Sequence, residues 1–126
     1  MWDPPPIQVI VNKGVLRTLP YSVGVYRKSG EVVTLTWLAT TPGTSFPKDR
    51  YFEWKTAYGI DVPRHVTDDT LKLDYVMPSG DVRWEYTIWI KLADGTIVAQ
   101  DPEVDNRPPA GSGDDGDNDD QGKKKR

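Results

Sequence analysis

The chain has 126 residues, a net charge of −3 and no cysteine. This length fits one domain, and the lack of cysteine excludes a disulfide framework and a thiolate metal site. The acidic balance makes nucleic acid an unlikely main partner, because phosphate binding favours a net basic surface. No segment has the roughly 18 consecutive apolar residues of a membrane span. We expect a cytoplasmic location if Met1 is the native start; if it is not, the location is undetermined.

Short apolar segments separated by turn residues occupy the first two thirds of the chain, which contains many of its 11 Pro and 11 Gly. Alternation of apolar and polar residues predicts strands. The predicted strands cover residues 7–11, 15–19, 21–27, 32–40, 51–58 and 70–76. The clearest case is 32–40, where Val33, Leu35 and Trp37 share one face. No segment shows the apolar spacing of an amphipathic helix.

Residues 84–101 predict a β-hairpin more strongly than any other part of the chain. The first strand carries one apolar face, formed by Trp84, Tyr86, Ile88, Ile90 and Leu92. Asp94-Gly95 is typical of a two-residue type I′ turn, in which both residues have positive φ. Ile97 and Ala99 are then predicted to continue the apolar face on the return strand.

About seven short strands over roughly 100 residues predict an all-β fold, an immunoglobulin-like antiparallel β-sandwich of two sheets. A lipocalin-like or other small barrel is the alternative. The buried core is predicted to include Trp37, Phe52, Leu73, Tyr86, Ile88 and Ile90.

Two further features sharpen the prediction of the fold. The run from Trp84 to Ile88 resembles the sixth strand of immunoglobulin-like domains, in which a Tyr precedes a buried position by two residues. Trp54 lies in a strand where that fold often buries a Trp, and residues 95–106 are similar to the last strand of small bacterial immunoglobulin-like β-sandwich proteins. The resemblance implies the fold, and it implies no functional residue.

Residues 110–126 differ in composition from the rest, so we expect a β-sandwich domain over 1–109 followed by a disordered tail. The tail contains no aromatic residue and no aliphatic residue larger than Ala, and therefore cannot bury enough surface to fold. It is first acidic and then basic, with five Asp before Lys123–Arg126. Such a basic cluster can contact nucleic acid, act as an import signal or have no role.

Residues that could carry catalysis are few. His65 is the only histidine, and it lies in a polar segment, 60–69, that we expect to be irregular. A lone histidine there is predicted to be solvated, since no nucleophile or orienting acid accompanies it. Any helix is limited to a turn within 46–50 or 65–70. We therefore predict no enzyme, no metal site and no cofactor.

Two weaker patterns also have structural explanations. Asp115, Asp117 and Asp119 have the spacing of the first ligands of a calcium-binding loop, but Asp120 and Arg126 stand where that loop needs Gly and Glu. Basic and aromatic residues alternate over 48–64, as they do in some nucleic-acid and sugar-binding surfaces. The residues concerned are Lys48, Arg50, Tyr51, Phe52, Trp54, Lys55, Tyr58 and Arg64. Strand alternation accounts for the same pattern as a core face and a solvent face.

Trp89 is the remaining anomaly, because it lies on the face of the hairpin opposite the predicted core. A two-residue turn pairs Trp89 with Gln100 and Lys91 with Val98. Trp89, Lys91, Val98 and Gln100 would then form a solvent-facing surface and a candidate binding site. The alternative is that Trp89 covers a neighbouring strand or is covered by the N-terminal segment 4–6.

These observations favour a non-enzymatic binding or assembly module that contacts a protein partner or a second copy through a sheet face or end loops. The first alternative is a carbohydrate-binding module, because Trp rings stack on sugar faces. The second is a structural component of a phage or of a secretion apparatus.

Overall fold

Ten strands in two packed sheets make up the part of the chain that the structure, a computed structural model, describes: residues 4–55, 61–78 and 82–106. Neither the tail 110–126 nor the domain boundary at 109 lies within these residues. The strands are β1 (Ile7–Asn12), β2 (Val15–Leu19), β3 (Ser22–Val25), β4 (Val32–Ala39), β5 (Phe52–Trp54), β6 (Arg64–Thr67), β7 (Thr70–Val76), β8 (Val82–Lys91), β9 (Ile97–Gln100) and β10 (Glu103–Asn106).

The first sheet has the order β2-β1-β4-β7-β6, and the second has the order β3-β10-β8-β5 with β9 also paired to β8. Two of the pairings, β1 with β4 and β3 with β10, are parallel, and the others are antiparallel. The described segments contain no helix, so none is available there to span a membrane. The all-β prediction and the two-layer arrangement are confirmed.

The structure has ten strands where about seven were predicted, and two local features account for two of the additional strands. The return strand of the hairpin is divided into β9 and β10 at Asp101-Pro102, because proline has no N–H to donate to the ladder. Tyr86 N still donates to Pro102 O at 3.0 Å. In addition, residues 64–67 form the edge strand β6 within a segment that we predicted to be irregular.

The core lies between the sheets and consists mainly of inward strand residues, together with Phe46 and Met77. All six predicted core residues are buried, with exposed fractions from 0% to 7%. At its centre Trp37 Nε1 donates to the Tyr86 hydroxyl at 2.9 Å, and Phe52 stacks on the Tyr86 ring at 4.6 Å. Burial raises the pKa of Tyr86. Trp54 is only partly buried, whereas Trp37 is fully buried.

The β8–β9 turn differs from the predicted type I′ turn, and the difference shifts the strand register by one residue. Leu92 N donates to Thr96 O at 2.7 Å and Gly95 N donates to Leu92 O at 2.9 Å. Gly95 has φ +92°, whereas Asp94 does not have positive φ. Residues 93–95 therefore form a three-residue loop, a type I turn closed by a glycine bulge. Asp94 Oδ1 accepts from Thr96 N at 2.9 Å, and this bond lowers the pKa of Asp94.

Candidate functional site

The outer face of β8 and β9 presents Trp89 among residues that differ in part from those predicted. Trp89 pairs with Ala99 and Lys91 pairs with Ile97. Trp89 is partly buried, whereas Ile97 is 52% exposed and Ala99 is also exposed. Two of the four predicted site residues, Trp89 and Lys91, thus share this face.

Val98 and Gln100 lie on the opposite face, so the predicted register that placed them beside Trp89 was wrong. The observed register pairs Ile90 with Val98 and Ile88 with Gln100, and a shift of one residue moves every side chain to the other side of the sheet. Val98 packs against the core. Gln100 Oε1 accepts from Thr18 N at 3.1 Å and so connects the edge strand of the first sheet to the second sheet.

Arg50 covers one side of the Trp89 ring, a contact that neither of the sequence alternatives predicted. Its guanidinium lies 4.4 Å from the ring centroid, within the range of a cation–π interaction. Arg50 also forms a 3.2 Å salt bridge with Glu53. Trp89 N donates to Tyr51 O at 3.1 Å, which aligns the start of β5 with this part of β8. We define the Trp89 patch as Arg50, Trp89, Lys91, Ile97 and Ala99.

The loop that carries Arg50, residues 41–50, is attached to both sheets. Ser45 and Lys91 exchange two backbone hydrogen bonds, of 3.0 Å and 2.7 Å, and Phe46 N donates to Asp68 O at 2.8 Å. The Phe46 ring is buried. These contacts hold Arg50 beside β8.

His65 helps to hold the same loop and is not the solvated loop residue that we predicted. It lies in β6, partly buried, with its ring 4.3 Å from the Tyr51 ring and 6.4 Å from the Phe46 ring. Its Nε2 is 3.2 Å from Pro47 O. Local alternation does not indicate this role, because the partners of His65 are far away in the chain.

A groove of about 620 Å³, which we call the hairpin groove, borders the Trp89 patch. It lies between the 41–50 loop and the β8–β9 hairpin. Its lining comprises Ser45, Phe46, Pro47, Lys48, Asp49, Arg50, Asp68, Lys91, Gly95 and Ile97. Three cationic and two carboxylate side chains give this lining a formal charge of +1. Within the described segments, Lys48 and Lys91 form no salt bridge.

On the other side of Trp89 the outer face carries polar and charged side chains that form hydrogen bonds and salt bridges with one another. Asp101 accepts from the Thr87 hydroxyl at 2.7 Å and pairs with Lys55 Nζ at 3.3 Å. The bond from Thr87, followed by the contacts of Lys55, lowers the pKa of Asp101. Farther along, Arg83 Nε lies 3.6 Å from Glu103 Oε2. The Trp89 patch therefore combines three apolar residues with two cations, and this charged part of the sheet borders it.

Within residues 4–55, 61–78 and 82–106, no group of three or more His, Asp or Glu side chains is placed to hold a metal ion. Asp115, Asp117, Asp119 and the cluster Lys123–Arg126 lie outside the described residues. The basic and aromatic residues of 48–55 divide between core and solvent: Phe52 is buried, and Lys48, Arg50 and Lys55 are exposed.

Comparison with known proteins gives no family model and no curated protein that matches this sequence. The function must therefore be argued from the Trp89 patch, the hairpin groove and the fold that positions them.

Proposed function

We propose that this protein is a non-enzymatic binding or assembly module, which contacts a protein partner or a second copy of itself through the Trp89 patch. The observation that carries the proposal is the position of Trp89 on the outer sheet face, beside the 52% exposed Ile97 and under the Arg50 guanidinium. Trp and Arg are enriched among the residues that dominate binding energy at protein interfaces.

The surroundings of the patch also suit a protein contact. Interfaces typically combine an apolar centre with a polar border, and here Lys55, Thr87 and Asp101 supply such a border. A stable interface buries about 800 Å² on each partner. Because five residues cannot supply that area, a partner would extend into the hairpin groove or across the charged part of the sheet.

A carbohydrate ligand is the second candidate, and the position of Arg50 makes it the weaker one. Sugar stacking needs an open aromatic face, whereas the Arg50 guanidinium lies over one face of Trp89 at 4.4 Å and is held by Glu53. A role as a phage or secretion-apparatus component is a special case of an assembly module, and its partner would use the same surface.

We also propose that the sandwich has immunoglobulin-like topology. In that fold the second, fifth and fourth strands are adjacent in one sheet, and the third, sixth and seventh are adjacent in the other. The orders β4-β7-β6 and β5-β8-β10 support such an assignment. The strands before β4 depart from the pattern, because β1 lies between β2 and β4 and is parallel to β4.

The test compares the wild-type chain with Trp89→Ala and Ile97→Ser in sedimentation velocity and in capture of protein partners. We expect both variants to reduce self-association or capture. The matched controls, Tyr26→Ala and Val76→Ser, alter residues that are 62% and 59% exposed outside the patch, and they should bind as the wild type does.

Wild-type binding by both patch variants would refute the proposal. A polysaccharide that changes the tryptophan fluorescence of the wild type, but not that of Trp89→Ala, without a change in protein mass would favour the carbohydrate alternative instead.

A further inference from the structure

The hairpin groove combines a cavity with two lysines, Lys48 and Lys91, that form no salt bridge within the described segments, and we propose that it binds the acidic run of this chain's own tail, residues 114–120. The inference rests on the proposed function, because it names an occupant for the groove that borders the Trp89 patch. The run contains five Asp and no basic residue.

Charge distribution is the first argument. Residues 1–106 contain 11 basic and 14 acidic residues, so their net charge of −3 opposes the binding of an aspartate run to the domain as a whole. The hairpin groove, with a formal charge of +1, is an exception. Lys48, on the 41–50 loop, and Lys91, at the end of β8, both line it, and neither forms a salt bridge within the described segments.

The two carboxylates of the groove, Asp49 and Asp68, oppose this binding. They limit it to a weak contact that depends on Lys48, Arg50 and Lys91. Because the lining contains both cations and carboxylates, substitutions can either lower or raise its formal charge.

The length of the chain is the second argument. Asn106 pairs with Val82 at one end of β8, and Lys91 stands at the other end. At about 3.3 Å per residue this separation is about 30 Å. Asp114 and Asp120 follow Asn106 by 8 and 14 residues, so the extended chain reaches at most about 29 Å and 50 Å. The later aspartates can therefore reach the groove of their own molecule.

The test uses the full chain, which has no cysteine, so Gln121→Cys allows one nitroxide spin label beside the acidic run. We expect the label to broaden the amide NMR signals of Lys48, Lys91 and Gly95 at 0.1 M salt. The signals should recover at 1 M salt, where the Debye length falls from about 10 Å to about 3 Å. The salt series needs no further substitution.

Charge variants of the labelled chain give the decisive comparison. Lys48→Gln with Lys91→Gln lowers the formal charge of the lining from +1 to −1 and should reduce the broadening. Asp49→Asn with Asp68→Asn raises it to +3 and should increase the broadening. The control, Arg17→Gln with Lys28→Gln, removes two exposed cations outside the groove and should have no effect.

Equal broadening in all variants, or broadening spread over the whole domain, would overturn the proposal. So would broadening that appears only between molecules, in a mixture of isotope-labelled chains and spin-labelled chains. The experiment needs no partner, so its result is independent of the effect of Trp89→Ala on partner binding. If the groove signals broaden but Trp89→Ala binds partners as the wild type does, only the proposed function is refuted. If Trp89→Ala loses partner binding but the groove signals do not broaden, only the tail contact is refuted.

Discussion

Ile88 and Trp89 are neighbours in β8 that face opposite sides of the sheet, and their replacement by alanine tests the assignment of the two faces. Ile88 is fully buried and pairs with Phe52 on one side and Gln100 on the other. Trp89 is larger but only partly buried. If the outer face is solvent-exposed, the smaller truncation is the more damaging of the two.

The expected costs follow from burial. Ile88→Ala removes buried methyl and methylene groups from a packed site, and such changes cost about 2–5 kcal/mol of unfolding free energy. Trp89→Ala removes a partly exposed ring and its contact with Arg50, and an exposed cation–π contact contributes about 0.5–1 kcal/mol. We therefore expect Trp89→Ala to cost about 1 kcal/mol, well below the roughly 3–5 kcal/mol of a core Trp truncation.

Urea unfolding followed by far-ultraviolet circular dichroism measures both costs without depending on tryptophan fluorescence. Small domains have unfolding free energies of about 5–15 kcal/mol, so Ile88→Ala could leave too little folded protein to measure. Ile88→Val, expected to cost about 0.5–1.5 kcal/mol, then replaces it. A cost of 3 kcal/mol or more (about that of a core Trp) for Trp89→Ala would contradict the assignment, as would a cost below about 0.5 kcal/mol for Ile88→Ala.

Three further changes test the core, the turn and the charged face. Tyr86→Phe leaves the buried Trp37 N–H without its acceptor and should cost about 1–3 kcal/mol in urea unfolding; an unchanged midpoint would contradict the bond. In Gly95→Ala the added Cβ meets no atom within 4 Å, but alanine must adopt φ +92°, so backbone strain alone should cost about 1–3 kcal/mol of unfolding free energy. An unchanged melting temperature would contradict the glycine bulge. The pKa of Asp101 is lowered on folding, so its stabilising effect is present above the ordinary value of about 3.9 and is lost as the pH falls through the folded value. The urea midpoint of Asp101→Asn should therefore decrease less than that of the wild type as the pH falls below about 4. An equal decrease in both proteins would show that Asp101 is not stabilised by Thr87 and Lys55.

The core was predictable because its signal is local. Alternation within 32–40 and 84–92 places Trp37, Tyr86, Ile88 and Ile90 on inward faces, and two packed sheets bury such faces whatever the order of the strands. The strand β6 escaped prediction because only one of its residues, Val66, is a large aliphatic residue and that side chain is 48% exposed. Its pairing with β7, and not its own alternation, makes it a strand.

The turn was harder to predict, since one dipeptide is compatible with two loops. Asp94-Gly95 suits a type I′ turn when both residues take positive φ, and it suits a longer loop when Gly95 alone does so. The bond from Thr96 N to Asp94 Oδ1 is made in the second arrangement. The apolar pattern did not settle the choice, because Ile97, Val98 and Ala99 place an apolar residue on either face.

The one-residue shift decides which aliphatic residue accompanies Trp89. In the predicted register Val98 would lie beside it, whereas in the observed register Val98 fills the core and Ile97 lies outside, 52% exposed. The outer face thereby carries an isoleucine with no core function. A sandwich gains little stability from leaving such a residue in water beside a tryptophan. The shift therefore supports a contact surface on this face, although two of the four residues predicted for that surface lie on the other face.

Arg50 and the 41–50 loop show what a sequence pattern cannot supply. The loop reaches β8 through backbone bonds between Ser45 and Lys91, 46 positions apart, and through the packing of Phe46 and His65. Each of these contacts joins segments whose separation is set by the fold as a whole, so no local spacing predicts them. The candidate site is therefore composite: the hairpin provides Trp89, Lys91 and Ile97, and a distant loop provides the cation and the opposite wall of the groove. Substitutions that loosen the loop should alter the surface around Trp89 while leaving the hairpin itself intact.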